Sequence, residues 1–391
     1  MNQASLSARF FIQLLKSSKY GSIHLTLPDG TAALYGDGDL VAHIKVKNWS
    51  AIDSIVNKGD LGLAEAVIDN DIEVDDMVKL VTWACLNDQE LGRALHGTWM
   101  GTLLYQIKNL LNRNSKSGAK KNIMAHYDLG NDFYSLWLDK TMTYSSAIFK
   151  NPSENLEQAQ LNKYDRMIDM LNIKSGDHIL EIGCGWGGFF SRAIEKTDCK
   201  VTAVMNSPNQ AAHNRAMIKA KGMSAHVNLK EMDYRDIEGR FDKIVSIEMI
   251  EAVGQQYWND YFKKVSSSIK GKGAAIIQGI TIQDQLFYNY SKKTDFIQNY
   301  VFPGGMLLTN SIFDKKSKEN GMQITDQFEF GVFYADTLKI WRTQFNSASD
   351  KLFAMGFDDK FMRLWNLYLS YCEGAFRANR INVGQYMLET K

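Results

Sequence analysis

Histidine is missing from residues 227–391, since all seven histidines lie at or before His226. A proton acceptor in that stretch must be a carboxylate, a tyrosine, a lysine or a bound ion, and a His-rich metal site is not expected. Cysteine is scarce as well: Cys85, Cys184, Cys199 and Cys372 are scattered with no CxxC pair, which predicts free thiols of a reducing compartment rather than a disulfide framework. The four prolines, Pro28, Pro152, Pro208 and Pro303, fall where an element begins or a loop turns. No run of about 18 apolar residues is present to span a bilayer, and the amino terminus lacks a continuous apolar signal segment, so a cytoplasmic address is expected. Charge of one sign is lacking too, with 45 Lys and Arg against 44 Asp and Glu. That balance gives no global field for nucleic acid, although KSGAKK (116–121) could meet an anionic membrane locally.

What is present is a globular composition, 45% hydrophobic and 23% charged over 391 residues, enough for two domains. SIHLTL and LVAHIKV read as strands around a turn at Asp29-Gly30, with helical periodicity from Trp49 to Leu111. This predicts a small α+β domain over 1–111, a polar linker over 112–121, and a second domain over 122–391. In the latter, HILEIG, KVTAVM, AHVNL, FDKIVSIE and GAAIIQGI alternate with amphipathic stretches, the pattern of an open, mostly parallel sheet with helices on both faces.

The stretch DHILEIGCGWGG (177–188) is a strand, a glycine-rich turn and the start of a helix. Gly183, Gly185 and Gly187 allow a sharp turn and close approach of a ligand. The next strand ends in Asn206, Ser207 and Gln210 instead of an acid, so neutral polar groups are left to bind ribose hydroxyls. Glu181, just before the glycines, suits a cationic ligand better than a pyrophosphate. S-adenosylmethionine, with its sulfonium and amino group, meets both conditions, and the segment resembles motif I of class I methyltransferases.

Five motifs extend the resemblance: HYDLGNDFYSLWLDKTMTYSSAIF (126–149), LEIGCGWGG, DYRD (233–236), SIEMIEAVG (246–254) and FPGG (302–305). Their order and spacing resemble the cyclopropane fatty acid synthase family from about residue 122 to 385, and KGDLGLAEAVIDNDIEVDD (58–76) resembles the smaller domain that bacterial members carry. The resemblance implies a Rossmann-like class I methyltransferase fold with an insertion, about Phe287 to Leu308, that covers the acyl chain. It implies transfer of a methylene from S-adenosylmethionine to the double bond of an unsaturated phospholipid acyl chain, by an enzyme peripheral to the inner face of the membrane and dimeric through its amino-terminal domain.

An isolated alkene is a weak nucleophile, so such a reaction needs a cationic donor held in line, an apolar water-excluding site, and a base that removes a proton from the new carbocation. The resemblance implies that bicarbonate is this base, held at positions corresponding to Ser146, the Ile247 carbonyl, Glu251, Gln278 and Tyr334. It assigns Tyr144 and Ser145 to the lid side of S-adenosylmethionine, Gly183 and Gly185 to its backbone cradle, and Asn206 and Gln210 to the ribose; His126 is either a site residue or structural. The chain departs from the family at several of these positions. Ser146 stands where many members have cysteine, Gln278 and Ala252 where they have histidine, and Asn206 where they often have leucine. Glu248 stands where other members have glycine and is expected to be a solvated or structural acid. The changed cradle leaves C-methylation without ring closure as an alternative, followed by small-molecule N-methylation and a non-catalytic lipid-binding role.

Overall fold

The computed structural model describes residues 6–95 and 129–390. The expected linker 112–121, the lysines Lys116, Lys120 and Lys121, and His126 lie outside the described residues. The described chain divides into two compact units.

The first unit holds the described residues up to 95 together with Lys292–Val301 and Trp341–Arg380. The sequence division at 112–121 did not anticipate these two returning segments. Their anchorage is specific: the helix Asp359–Arg377 packs so closely on the helix Met77–Leu86 that a Cβ on Gly374 would come within 2.7 Å of Val81. The sheet of this unit has four strands, β1 (Gly21–Thr26), β2 (Ala32–Asp37), β3 (Val41–Val46) and β4 (Ile72–Val74), in the order β2-β1-β3-β4. The turn at Asp29-Gly30 joins β1 and β2 as the sequence suggests, with the Asp29 carboxylate accepting from the Thr31 N–H. Helical periodicity from Trp49 is broken by β4, because Asn70 adopts a left-handed conformation (φ 65°) and the β-branched Ile72 and Val74 then pair with Val46 and Ile44.

The second unit carries a seven-stranded sheet: β5 (His178–Ile182), β6 (Lys200–Met205), β7 (Val227–Glu231), β8 (Phe241–Ile247), β9 (Ile269–Ile282), β10 (Met322–Glu329) and β11 (Ile381–Thr390). Their order is β10-β11-β9-β8-β5-β6-β7. Only β11 runs against the others. The five strands expected from sequence are all present; β10 and β11 are additions. One face of the sheet is covered by helices that contribute Tyr164, Phe189, Phe190 and Ile218, and the other by helices that contribute Trp258, Phe262 and Phe313. Two apolar layers on one sheet make this a three-layer α/β unit. Among the described residues, no helix is long and apolar enough to cross a membrane.

Candidate active site

The carboxyl ends of β5 and β8 adjoin in the middle of the sheet, the place where open α/β sheets bind ligands. After β5 the chain turns through Gly183 (φ 80°), Gly185 (φ 51°) and Gly187 (φ 85°). A Cβ on Gly187 would lie 2.5 Å from the Phe190 ring and 2.7 Å from the Asn214 side-chain oxygen, so packing as well as φ demands glycine there. A Cβ on Gly183 would lie 2.9 Å from Met249, which places the glycine turn against the turn that follows β8.

Over the glycine turn lies an aromatic group. Tyr144 packs on Tyr134 and Trp137, each with ring centroids 5.4 Å apart, and Tyr134 packs on Trp186 within the turn itself. The Trp186 indole donates to Asn131, whose amide donates to the Asn209 carbonyl. Residues 131–144 are thereby tied both to the glycine turn and to the start of the helix Pro208–Ala220 after β6. Ser145 is buried, its carbonyl accepting from Gln160 and its hydroxyl from Lys163.

The residues present fit S-adenosylmethionine. Glu181 is buried and one of its carboxyl oxygens has no hydrogen-bond partner, while burial raises its pKa well above the ordinary range. A buried carboxyl with one oxygen left without a partner, next to a backbone cradle, suits an ammonium or sulfonium ligand. Gln210 is buried and Asn206 partly so, at the start of the helix Pro208–Ala220. Among the described residues no cluster could hold a metal ion.

The turn after β8 overturns one expectation. Glu248 is not a solvated acid but is held inside the turn by three donors. Its Oε1 accepts from the Ser146 backbone N–H at 2.9 Å and from the Gln278 amide at 2.8 Å, and its Oε2 accepts from the Tyr334 hydroxyl at 2.7 Å. Three of the positions expected to hold bicarbonate therefore converge as the sequence implied, but on a side chain of this protein. Bicarbonate does not fit the set, because its expected donors already end on Glu248. Ser146 acts through its N–H, with its hydroxyl turned to the Ala147 carbonyl, so serine in place of cysteine changes little at this point. Ile247 lies in register with Gln278 on the neighbouring strand, and the Glu248 N–H donates to the Gln278 carbonyl.

Glu251 is held differently. One of its oxygens accepts from the Ile280 N–H and the other, buried, has no partner. Burial, then the neighbouring charge of Glu248, pushes its pKa up to about 8. Its carbonyl accepts from Met306 N–H, directly after the FPGG motif, so the insertion after β9 returns alongside this acid. Ala252, where a histidine was expected by analogy, is exposed.

Four residues not singled out in the sequence complete the constellation. Lys163 is fully buried on the helix Leu156–Met170, and burial lowers its pKa to about 7 against the attraction of Glu248 and Asp139. Its signal was present: Leu156, Ala159, Gln160, Lys163, Tyr164 and Met167 form one buried stripe at helical spacing, and a lysine within such a stripe has a partner. Gln385 on β11 donates to the Gln278 carbonyl oxygen, and Arg166 donates to Gln385. Arginine can only donate, so the direction of every amide in the chain Arg166, Gln385, Gln278, Glu248 is fixed. Tyr334 is placed by the start of its helix, where Gly331 N–H donates to Asn382 of β11 and a Cβ on Gly331 would meet that side chain at 2.5 Å. No local motif announces Gln385, Arg166 or Asn382, because their roles arise from the placing of β11 beside β9 and of the helix Leu156–Met170 beside β11.

Burial raises the Glu248 carboxyl above the ordinary range, while Lys163 and the three donors pull it down. Burial on one side and Lys163 with the three donors on the other therefore set how tightly this carboxyl holds a proton.

Comparison with known proteins agrees with this geometry. A sequence profile for mycolic acid cyclopropane synthetase matches residues 114–386, and one for a domain of unknown function matches residues 10–93. The chain is 33% identical over 395 residues to tuberculostearic acid methyltransferase UfaA1 of Mycobacterium tuberculosis, covering 98% of this chain and 92% of that protein. It is 34% identical over 357 residues to the cyclopropane-fatty-acyl-phospholipid synthase of Escherichia coli K12, covering 89% of this chain and 88% of that one. The crystal structure of mycolic acid cyclopropane synthase CmaA1 complexed with SAH and CTAB superposes with a TM-score of 0.66 at 28% identity, over 69% of this chain and 98% of that one. The chain belongs to the mycolic acid cyclopropane synthetase family and is a methyltransferase that uses S-adenosylmethionine.

Proposed function

We propose that the protein transfers a methylene group from S-adenosylmethionine to the double bond of an unsaturated phospholipid acyl chain, closing a cyclopropane ring. The observation that carries this reading is the carboxylate of Glu248, held by Ser146, Gln278 and Tyr334 directly beside the glycine turn. The donor supplies an electrophilic methyl group when bound. Gly183, Gly185, Glu181, Asn206 and Gln210 hold it in this reading, with Tyr144 and Ser145 on its lid side, and the aromatic group around Tyr134 excludes water. A dry site matters because water would trap the alkyl cation before it lost its proton. The insertion from Phe287 to Leu308 covers the acyl chain. Its anchors support this: Leu307 N–H donates to Tyr290, and Leu308 bridges to Thr281 beside β9.

The substrate class is supported by the Escherichia coli relative, named for a fatty-acyl-phospholipid. A second reading, methyl transfer without ring closure, is favoured by the likeness to UfaA1, named a methyltransferase, which extends over nearly the whole chain. Proton NMR of the product from dioleoyl phospholipid distinguishes the two. High-field cyclopropane resonances are expected, and a product with none of them would overturn ring closure. Action from the cytoplasmic side at an anionic membrane surface, through Lys116, Lys120 and Lys121, and dimerisation through the amino-terminal domain complete the proposal. Replacing the three lysines should weaken sedimentation with anionic vesicles by about 1 kcal/mol per charge and flatten its salt dependence.

A further inference from the structure

We infer that Glu248 is a built-in proton acceptor that stands where a captured anion would otherwise sit, so that turnover requires no bicarbonate. The inference rests on the reaction proposed above and names its base. Three observations carry it. First, the donors from Ser146, Gln278 and Tyr334 all end on the two oxygens of one side chain, at 2.7 to 2.9 Å. A carboxylate offers about four acceptor sites, and these bonds use three, leaving one on Oε2 for a transferred proton. Second, the orientation of Gln278 is dictated from outside. Arg166 donates to Gln385 at 2.7 Å and Gln385 to Gln278 at 3.1 Å, so Gln278 must present its N–H groups to an acceptor, and Glu248 is that acceptor. Third, Glu248 holds φ at 49°, a left-handed conformation that is unfavourable for a non-glycine residue. Such a conformation persists where surrounding bonds hold the side chain in place.

Glu251 is the other carboxyl within reach, and its geometry argues for a different part. One oxygen is bound to Ile280 and the second is buried without a partner. With a pKa of about 8 it is largely protonated at neutral pH, so it accepts no further proton. Lys163, buried on the helix Leu156–Met170, draws the Glu248 carboxyl down against the effect of burial.

The step balances as follows. The bond from donor sulfur to methyl carbon breaks as the alkene electron pair forms a new carbon–carbon bond, leaving a thioether and an alkyl cation. A C–H bond of the new methyl group then gives its electron pair to close the ring, and its proton passes to Oε2 of Glu248. The proton returns to solvent before the next turnover.

The test uses the full chain, dioleoylphosphatidylglycerol vesicles and S-adenosylmethionine in buffer stripped of carbon dioxide under argon, with and without added bicarbonate. The wild-type rate should agree within about twofold in the two buffers. Glu248→Gly should lose at least about 100-fold in stripped buffer, and recover in part with bicarbonate or formate, which can enter the emptied cradle. Glu248→Gln should lose a similar factor without recovery, because its amide still fills the space. Both variants should bind S-adenosylhomocysteine as the wild type does, which shows that they fold. A wild-type rate that falls severalfold on stripping and returns with bicarbonate would overturn the inference, as would a fully active Glu248→Gln. NMR titration with carbon-13 bicarbonate decides the anion position without any lipid. No saturable binding is expected for wild type, and saturable binding for Glu248→Gly; binding by wild type would overturn the inference. If wild type turns over no unsaturated lipid, the proposed reaction fails, while this titration still settles whether Glu248 holds the anion position.

Discussion

The turn after β5 and the turn after β8 touch, through Gly183 and Met249, yet they are built on opposite principles. After β5 the backbone itself shapes the site: three glycines at positive φ make a cradle, and side chains would only obstruct it. After β8 the backbone is strained to present a side chain, and Glu248 carries the chemistry while donors from Ser146 and from two distant segments, those of Gln278 and Tyr334, hold it. A ligand held by backbone is governed by steric tolerance, whereas a carboxylate held by donors is governed by protonation and hydrogen-bond direction. Changes at the first turn should act on donor binding and folding. Those at the second should act on turnover, with donor binding intact.

The largest effect is expected at the glycine turn. Gly187→Ala would force a Cβ to 2.5 Å from the Phe190 ring at φ 85° and should cost about 2–4 kcal/mol of stability together with most S-adenosylhomocysteine binding, measurable by thermal melting and calorimetry. If it lost turnover alone, the contrast between the two turns would break.

At the second turn, Lys163→Met should lower kcat at pH 7 about tenfold while donor affinity changes little. Removing Lys163 takes away the attraction that lowers the Glu248 carboxyl and leaves the neighbouring Glu251, so its pKa rises and the acid limb of the kcat profile moves to higher pH. An unmoved limb would remove Lys163 from the account.

Glu251 gives a smaller and different signal. Its carboxyl ionises at about 8 in the folded chain against 4.5 for an ordinary glutamic acid, so between these values the folded state keeps a proton that the unfolded state releases. Stability from this group is therefore lost as pH rises through that window, and Glu251→Gln should flatten the fall in melting temperature between pH 5 and 8. The smallest effect is expected from Gln385→Ala. Removing this positioning residue frees the Gln278 amide to rotate and should lower kcat severalfold, about 1 kcal/mol, with KM unchanged.

The same contrast explains what could be read before folding. The glycine turn is local, and its strand, its three glycines and the neutral end of β6 lie close enough in sequence to be read as a donor site. The cradle was legible by position, since Ser146, Gln278 and Tyr334 do meet, but its occupant was not. Glu248 reads as an ordinary acid after an apolar strand, and nothing short of the fold shows that a strand, a helix and a loop direct donors at it. β10 and β11 were missed for a related reason. INVGQYMLET carries a glycine and several polar residues and lacks clean alternation, yet it is held between β9 and β10 as the one reversed strand. The segments 292–301 and 341–380 join the first unit through contacts that no composition shift marks.

The left-handed backbone at Glu248 has a consequence for descent. Glycine adopts φ 49° without strain, and glycine and glutamate codons differ by a single base, so one nucleotide change can install or delete the carboxylate while leaving the main chain where it was. An ancestor that borrowed its base from dissolved carbon dioxide and a descendant that carries its own would be adjacent in sequence space. The choice between them sets whether lipid modification responds to the carbonate supply of the cell.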